Sequence, residues 1–114
     1  MTLADALDDL TRHPGVRGAL VVSTGDGLVV ADALMEDVDG GAVAALTASL
    51  LRRMRGVAHL LGQAAPQLLH LVGAEGSLLA APAGEELIVV AVARPDVNVG
   101  AVRLALRRAV ERVS

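Results

Sequence analysis

The sequence predicts an α/β (α+β) domain spanning residues 1–114, of element order α-ββ-α-βββ-α, with helices against both faces of its sheet. Three observations carry that expectation. The runs Ala19-Leu20-Val21-Val22 and Leu28-Val29-Val30-Ala31 are apolar without alternation, which marks strands covered on both sides. Three other segments repeat apolar residues at spacings of 3 and 4, the period of an amphipathic helix. Turn signals rich in Gly, Pro and Asp separate these segments.

The first helix is expected from Leu3 to Arg12. Thr2 and Asp5 have the spacing of an N-terminal capping box, and Leu3, Leu7 and Leu10 form a narrow apolar stripe. His13-Pro14-Gly15 ends it, because proline disfavours helical geometry in the residue before it. Between the first two strands, Ser23-Thr24-Gly25-Asp26-Gly27 contains an Asp-Gly pair, a hairpin signal that calls for a positive φ. The second helix is expected from Asp39 to Leu61. Val43, Thr47, Leu50, Met54, Val57 and Leu61 follow a 4-3-4-3-4 pattern. Leu46, Leu51 and Leu60 widen that stripe to an arc of roughly 200° at 100° per residue. One sheet face needs only about half of that, so the arc calls for a second partner. A row of small residues beside it, Ala44, Ala48 and Ala58, would let another helix approach closely.

Three strands follow, Gln67–Val72, Ser77–Ala81 and Leu87–Ala93, joined by hairpin-like turns. Leu87–Ala93 is the most apolar run and is expected at the sheet centre. Arg94-Pro95-Asp96-Val97-Asn98 leads to the third helix, Val99–Val113, with Asn98 as its cap and Val99, Val102, Leu106, Val110 and Val113 as its core stripe.

Composition narrows the function. The 114 residues are 54% hydrophobic, too aliphatic for so small a body to hide alone, which points to a second buried surface and most simply a dimer. There is no Cys, hence no disulfide framework, thiolate metal site or thiol nucleophile, in keeping with a reducing cytoplasm. The absence of Phe, Tyr and Trp and a net charge of −3 argue against nucleic acid as a partner. The longest charge-free window, Gly56–Ala74, is broken by Gly62, Gln63, Pro66 and Gln67, so no membrane span is expected. The start Met1-Thr2-Leu3-Ala4-Asp5 lacks the basic region of a secretory leader, so the expected location is cytoplasmic.

No catalytic constellation, metal site or cofactor site is expected. The chain lacks a P-loop motif, and His13, His59 and His70 stand at no ligand spacing. Two arginine groups remain. Arg52, Arg53 and Arg55 on the second helix read either as a partner-binding surface or as a solvated face, with Arg53 inside the edge of the apolar arc. Arg103, Arg107, Arg108 and Arg112 on the third helix suit its C-terminal dipole and are expected to be balanced by Asp5, Asp8 and Asp9 of the first.

Three segments together resemble the roadblock/dynein-light-chain family, whose bacterial members of the gliding-motility type regulate small Ras-like GTPases. They are Leu10 through Ala31 with its Pro14-Gly15-Val16 and Gly25-Asp26-Gly27, the helix opening Val43-Ala44-Ala45-Leu46, and Pro95 through Arg103. The resemblance implies a roadblock-type (profilin-like) domain, with a five-stranded antiparallel sheet carrying the second helix on one face and the first and third on the other. It also implies that Gly100 packs closely on the sheet, and that two copies pair through their third strands and second helices. The residues expected at the dimer interface are then Val43, Thr47, Leu50, Leu51, Met54, Ala58, Leu69 and Leu71, with Arg52, Arg53 and Arg55 facing the GTPase. The function implied is a homodimeric, non-enzymatic module that binds a small Ras-like GTPase and modulates its GTP hydrolysis without supplying a catalytic arginine. The alternatives are an assembly scaffold for other roadblock-type subunits and a small-ligand sensor. The sequence closes at Ser114, directly after the third helix, so activities resting on a longer C-terminal extension are not expected.

Overall fold

The computed structural model describes residues 2–35 and 37–113; the expected domain ends, Met1 and Ser114, lie outside the described residues, as does Glu36. The elements follow the expected order: α1 (Leu3–Thr11), β1 (Val16–Ser23), β2 (Val29–Leu34), α2 (Gly40–Leu60), β3 (Leu69–Gly73), β4 (Gly76–Ala83), β5 (Leu87–Ala93) and α3 (Val99–Val113). The strands form one sheet in the order β2-β1-β5-β4-β3, and every neighbouring pair is antiparallel. The apolar run β5 is central, and β2 and β3 are the edges.

The two-sided burial holds for residues 19–22 and 88–91 but not for residues 28–31: β2 is an edge strand, and Leu28 and Val30 are 64% and 48% exposed. Ala19, Val21, Val89 and Ala91 turn to α1 and α3, where they meet Leu7, Leu10, Val102 and Leu106. Leu20, Val22, Ile88 and Val90 turn to α2, where they meet Ala44, Ala48 and Leu51. Consecutive residues of a strand face opposite ways, so a strand with both faces covered must be apolar throughout. Each fully buried Leu or Val contributes roughly 1.5–3 kcal/mol.

The local signals act as their chemistry requires. The Thr2 Oγ1 accepts from the Asp5 N–H at 3.2 Å, and the Thr2 N–H donates to Asp5 Oδ2 at 3.1 Å. That backbone hydrogen bond is the chief reason the Asp5 carboxyl titrates below its ordinary value. In the β1–β2 turn the Leu28 N–H donates to Asp26 Oδ1 at 3.1 Å and lowers the Asp26 carboxyl in the same way. Asn98 caps α3 by accepting from the Ala101 N–H at 3.1 Å.

Three further expectations require correction. Strand β4 runs through Pro82, where the sequence suggests a stop at Ala81. Pro82 pairs with Ile88 on one side, while β3 reaches only to Ala80 on the other, so β4 is an edge strand at the residue that lacks an N–H. Gly100 does not owe its place to close packing. A Cβ there would come no nearer than 3.5 Å to another group, the Asn98 side chain. Before α3 a tight approach is made instead at Gly15, where an added Cβ would stand 2.8 Å from Val97 Cγ2. Lastly, Ala44 and Ala48 face the chain's own sheet and are fully buried, so these two bring α2 down onto the strands, and of the expected row Ala58 alone is half-buried.

The β1–β2 turn separates two glycines that look alike in sequence. Gly27 has φ +71° and an added Cβ would meet Ala45 Cα at 3.1 Å, whereas a Cβ at Gly25 meets nothing within 4 Å. Gly27→Ala should therefore destabilise the fold by more than about 1 kcal/mol, and Gly25→Ala should stay within about 0.5 kcal/mol of the parent. Urea denaturation of the two variants checks this, and equal losses would contradict it.

Candidate protein-interaction surface

Helix α2 has more apolar surface than the sheet can take. Its N-terminus is set by Asp39, whose Oδ1 accepts from the Ala42 N–H at 3.1 Å. Its C-terminus is set by Gly62 at φ +68°, where the Gln63 N–H reaches the Ala58 carbonyl at 2.8 Å and the Gly62 N–H reaches the His59 carbonyl at 3.1 Å. Between these caps, Ala44, Thr47, Ala48 and Leu51 form the buried stripe. A second stripe, Leu46, Leu50, Val57, Leu60 and Leu61, lies roughly 130° around the helix at 100° per residue. It is uncovered: Leu46 is 71% exposed and Leu60 85%.

One face of the β3 edge lies on the side of the sheet that α2 covers. Leu69 packs against the cluster beneath α2, and Leu71, two residues on, faces the same way and is 62% exposed. Val72, on the opposite face, is 72% exposed. One side of β3 pairs with β4 in register from Leu69↔Ala80 to Gly73↔Gly76, and its other side meets no strand among the described residues. An edge of this kind, with neither charge nor proline along it, is a template for pairing with another chain.

The eight residues expected at an interface are thus divided. Leu50 and Leu71 are exposed, and Val43, Met54, Ala58 and Leu69 are half-buried. Thr47 and Leu51 are held in the chain's own core, Leu51 with no exposure at all, because they share the stripe with Ala44 and Ala48. Leu46, Val57 and Leu60 are not among the eight, although the wide arc includes them; all three are exposed, Leu46 and Leu60 the more strongly.

The three arginines of α2 also part company. Arg52 Nη1 donates to the Thr24 carbonyl at 2.7 Å, which ties the helix to the β1–β2 turn. Arg53 is exposed and falls at the angle of the uncovered stripe, between Leu60 and Leu46. Arg55 continues the buried stripe one turn beyond Leu51, and lines a groove shared with α3. Among the described residues, Arg112 is the one arginine of α3 that meets the expected acidic balance, in an ion pair with Asp9. His59 and His70 are exposed, and no group of three or more His, Cys, Asp or Glu residues able to hold a metal exists among the described residues. No helix among the described residues is long and apolar enough to cross a membrane.

The chain thus leaves both a helix stripe and a strand edge uncovered. The family model for the Roadblock/LC7 domain matches residues 2–93. The protein MJ1340 of Methanocaldococcus jannaschii is 30% identical over 105 residues, which cover 92% of this chain and 90% of that protein. Among solved structures, the chain is similar to Myxococcus xanthus MglB with a TM-score of 0.90 at 24% identity, covering 97% of this chain and 90% of that one. It is similar to the gliding protein MglB of Thermus thermophilus with a TM-score of 0.86 at 27% identity, covering 96% and 83%. The three helices, the five-stranded antiparallel sheet and the matched span agree: the chain belongs to the Roadblock/LC7 domain family.

Proposed function

We propose that this chain is a homodimeric regulatory module whose paired α2 helices dock a small Ras-like GTPase. The observation that carries the proposal is that a stripe of α2 and the β3 edge are both left uncovered, with Leu71 of β3 facing the side of the sheet that holds α2. An isologous pairing of β3 with its copy would continue the sheet across the dyad and leave both α2 helices on one face. Leu46, Leu50, Val57 and Leu61 would then be removed from water together, each for roughly 1.5–3 kcal/mol before the cost of association, while Leu60 and Arg53 at the far margin of the stripe stay open. The resemblance to gliding-motility regulators supports this reading, as does the likeness to an MglB with tetrameric arrangement, at 28% identity and a TM-score of 0.90.

On the GTPase the module acts by binding. Arg53 is the arginine of α2 left at the uncovered stripe, since Arg52 is engaged with the Thr24 carbonyl and Arg55 is directed to the α3 side. Its role in the proposal is contact, and the change in hydrolysis comes from preferential binding to one GTPase conformation. A second reading, an assembly scaffold, rests on the β3 edge itself. Backbone hydrogen bonds along a strand do not distinguish an identical partner from a related roadblock-type chain.

The pairing has a direct test. Leu46 and Leu50 are exposed in the single chain, so Leu46→Asp with Leu50→Asp should leave the fold intact and yield a monomer by sedimentation equilibrium at micromolar concentration. A dimer that survives both substitutions would place the interface elsewhere. The regulatory reading is tested by single-turnover GTP hydrolysis with a purified small Ras-like GTPase from the same organism. Arg53→Ala should weaken binding while leaving the rate at saturation within about twofold, whereas loss of a catalytic arginine would cost about a thousandfold or more. No binding to either nucleotide state would overturn the reading in favour of the scaffold.

A further inference from the structure

On the α3 side of the molecule, a half-open groove of about 1080 Å³ lies between the α2–β3 loop, the β4–β5 turn and α3. Its apolar lining includes Leu68 and Leu106, and three arginines, Arg55, Arg103 and Arg107, border it. Arg103 and Arg107 stand one helical turn apart on α3, about 6 Å between their Cβ atoms. Arg55 comes from the other layer of the fold, at the point where the inward stripe of α2 runs past the sheet. None of the three makes an ion pair or side-chain hydrogen bond among the described residues, whereas Arg12, Arg17 and Arg112 are each paired with an aspartate. Glu85 is the single acidic residue on the lining.

We propose that this groove docks an acidic segment of a partner protein, in which carboxylates about one helical turn apart bracket an aliphatic side chain. Charge complementarity is the first support. The chain as a whole carries −3, so the cationic groove is a local feature with the sign to attract an acidic partner. The second is the chemistry of the cations, since a guanidinium matches a carboxylate with two parallel hydrogen bonds. The third is the lining: it has no aromatic ring on which a nucleobase could stack, and its volume exceeds what one small anion fills. The lining residues include none of the uncovered stripe of α2 and none of β3, so the groove can be filled while those surfaces are engaged.

The test is fluorescence anisotropy with a labelled peptide of alternating Glu and Leu, set against its Gln and Leu counterpart. The Glu peptide should bind the full chain at least about tenfold more tightly than the Gln peptide, and Arg103→Glu with Arg107→Glu should remove that advantage. Both arginines are exposed, so the double variant should keep the parent far-UV circular dichroism spectrum. The charge-matched control is Arg94→Glu with Arg108→Glu, outside the groove, which should change affinity by less than about threefold. Equal weakening by the control pair, or equal binding of the Gln peptide, would overturn the proposal. So would displacement of the Glu peptide by ATP at a lower concentration than unlabelled Glu peptide requires, which would reassign the groove to a small anion.

Discussion

The contact between α2 and the sheet is made by small side chains, and much of the remaining architecture follows from it. Ala44 and Ala48 bring the helix close over Leu20, Val22 and Val90, with Leu51 as the one large residue in the seam. A close seam is a narrow seam, about a quarter of the helix circumference by its angular spacing. The helix is nevertheless apolar over a much wider arc, and the unused part faces outward as Leu46, Leu50, Val57 and Leu60. Had the seam been built from leucines at Ala44 and Ala48, the helix would ride higher and a wider band of its side chains would reach the strands. Small residues inside and large ones outside produce a folded chain that still carries an unsatisfied apolar surface.

The same placement organises the charges. The sheet-facing stripe of α2 ends where the sheet ends, and Arg55 occupies the next turn, above the groove bordered by Arg103 and Arg107 of α3. Arg52, on the flank, gives its hydrogen bond to the Thr24 carbonyl. Only Arg53 remains toward the uncovered stripe. Three arginines within four residues therefore serve three different surfaces, and their closeness in sequence says little about a shared role.

The element order and the central place of β5 are legible because they depend on strands with both faces buried and on local turn and cap chemistry. The Thr2–Asp5 box, the Asn98 cap and the Asp-Gly turn act within a few residues of chain, so composition and spacing suffice to read them. What spacing alone does not supply is rotation. The arc on α2 is visible, but which part of it the sheet takes depends on how near the helix lies, which is why Thr47 and Leu51, expected outside, lie inside. The run Ala44, Ala48, Leu51, Arg55 carries the missing signal, an inward stripe of small residues that closes on a cation. Arg103 and Arg107 are not balanced by α1 as expected. Asp9 is instead taken by Arg12 and Arg112, and the groove lies at the other end of α3's exposed row.

If the uncovered stripe of α2 and the free edge of β3 form one pairing surface, both must respond to chain concentration together. Hydrogen–deuterium exchange as a function of concentration tests this most directly, since the edge amides of β3 exchange freely in a single chain and are protected in a pair. Pairing through this surface requires the amides of Leu69–Gly73 that face away from β4 to become protected as concentration rises, with the accompanying change in α2 confined to its outward stripe. Rapid exchange along β3 that stays the same at every concentration, or protection that grows along β2 instead, would contradict it.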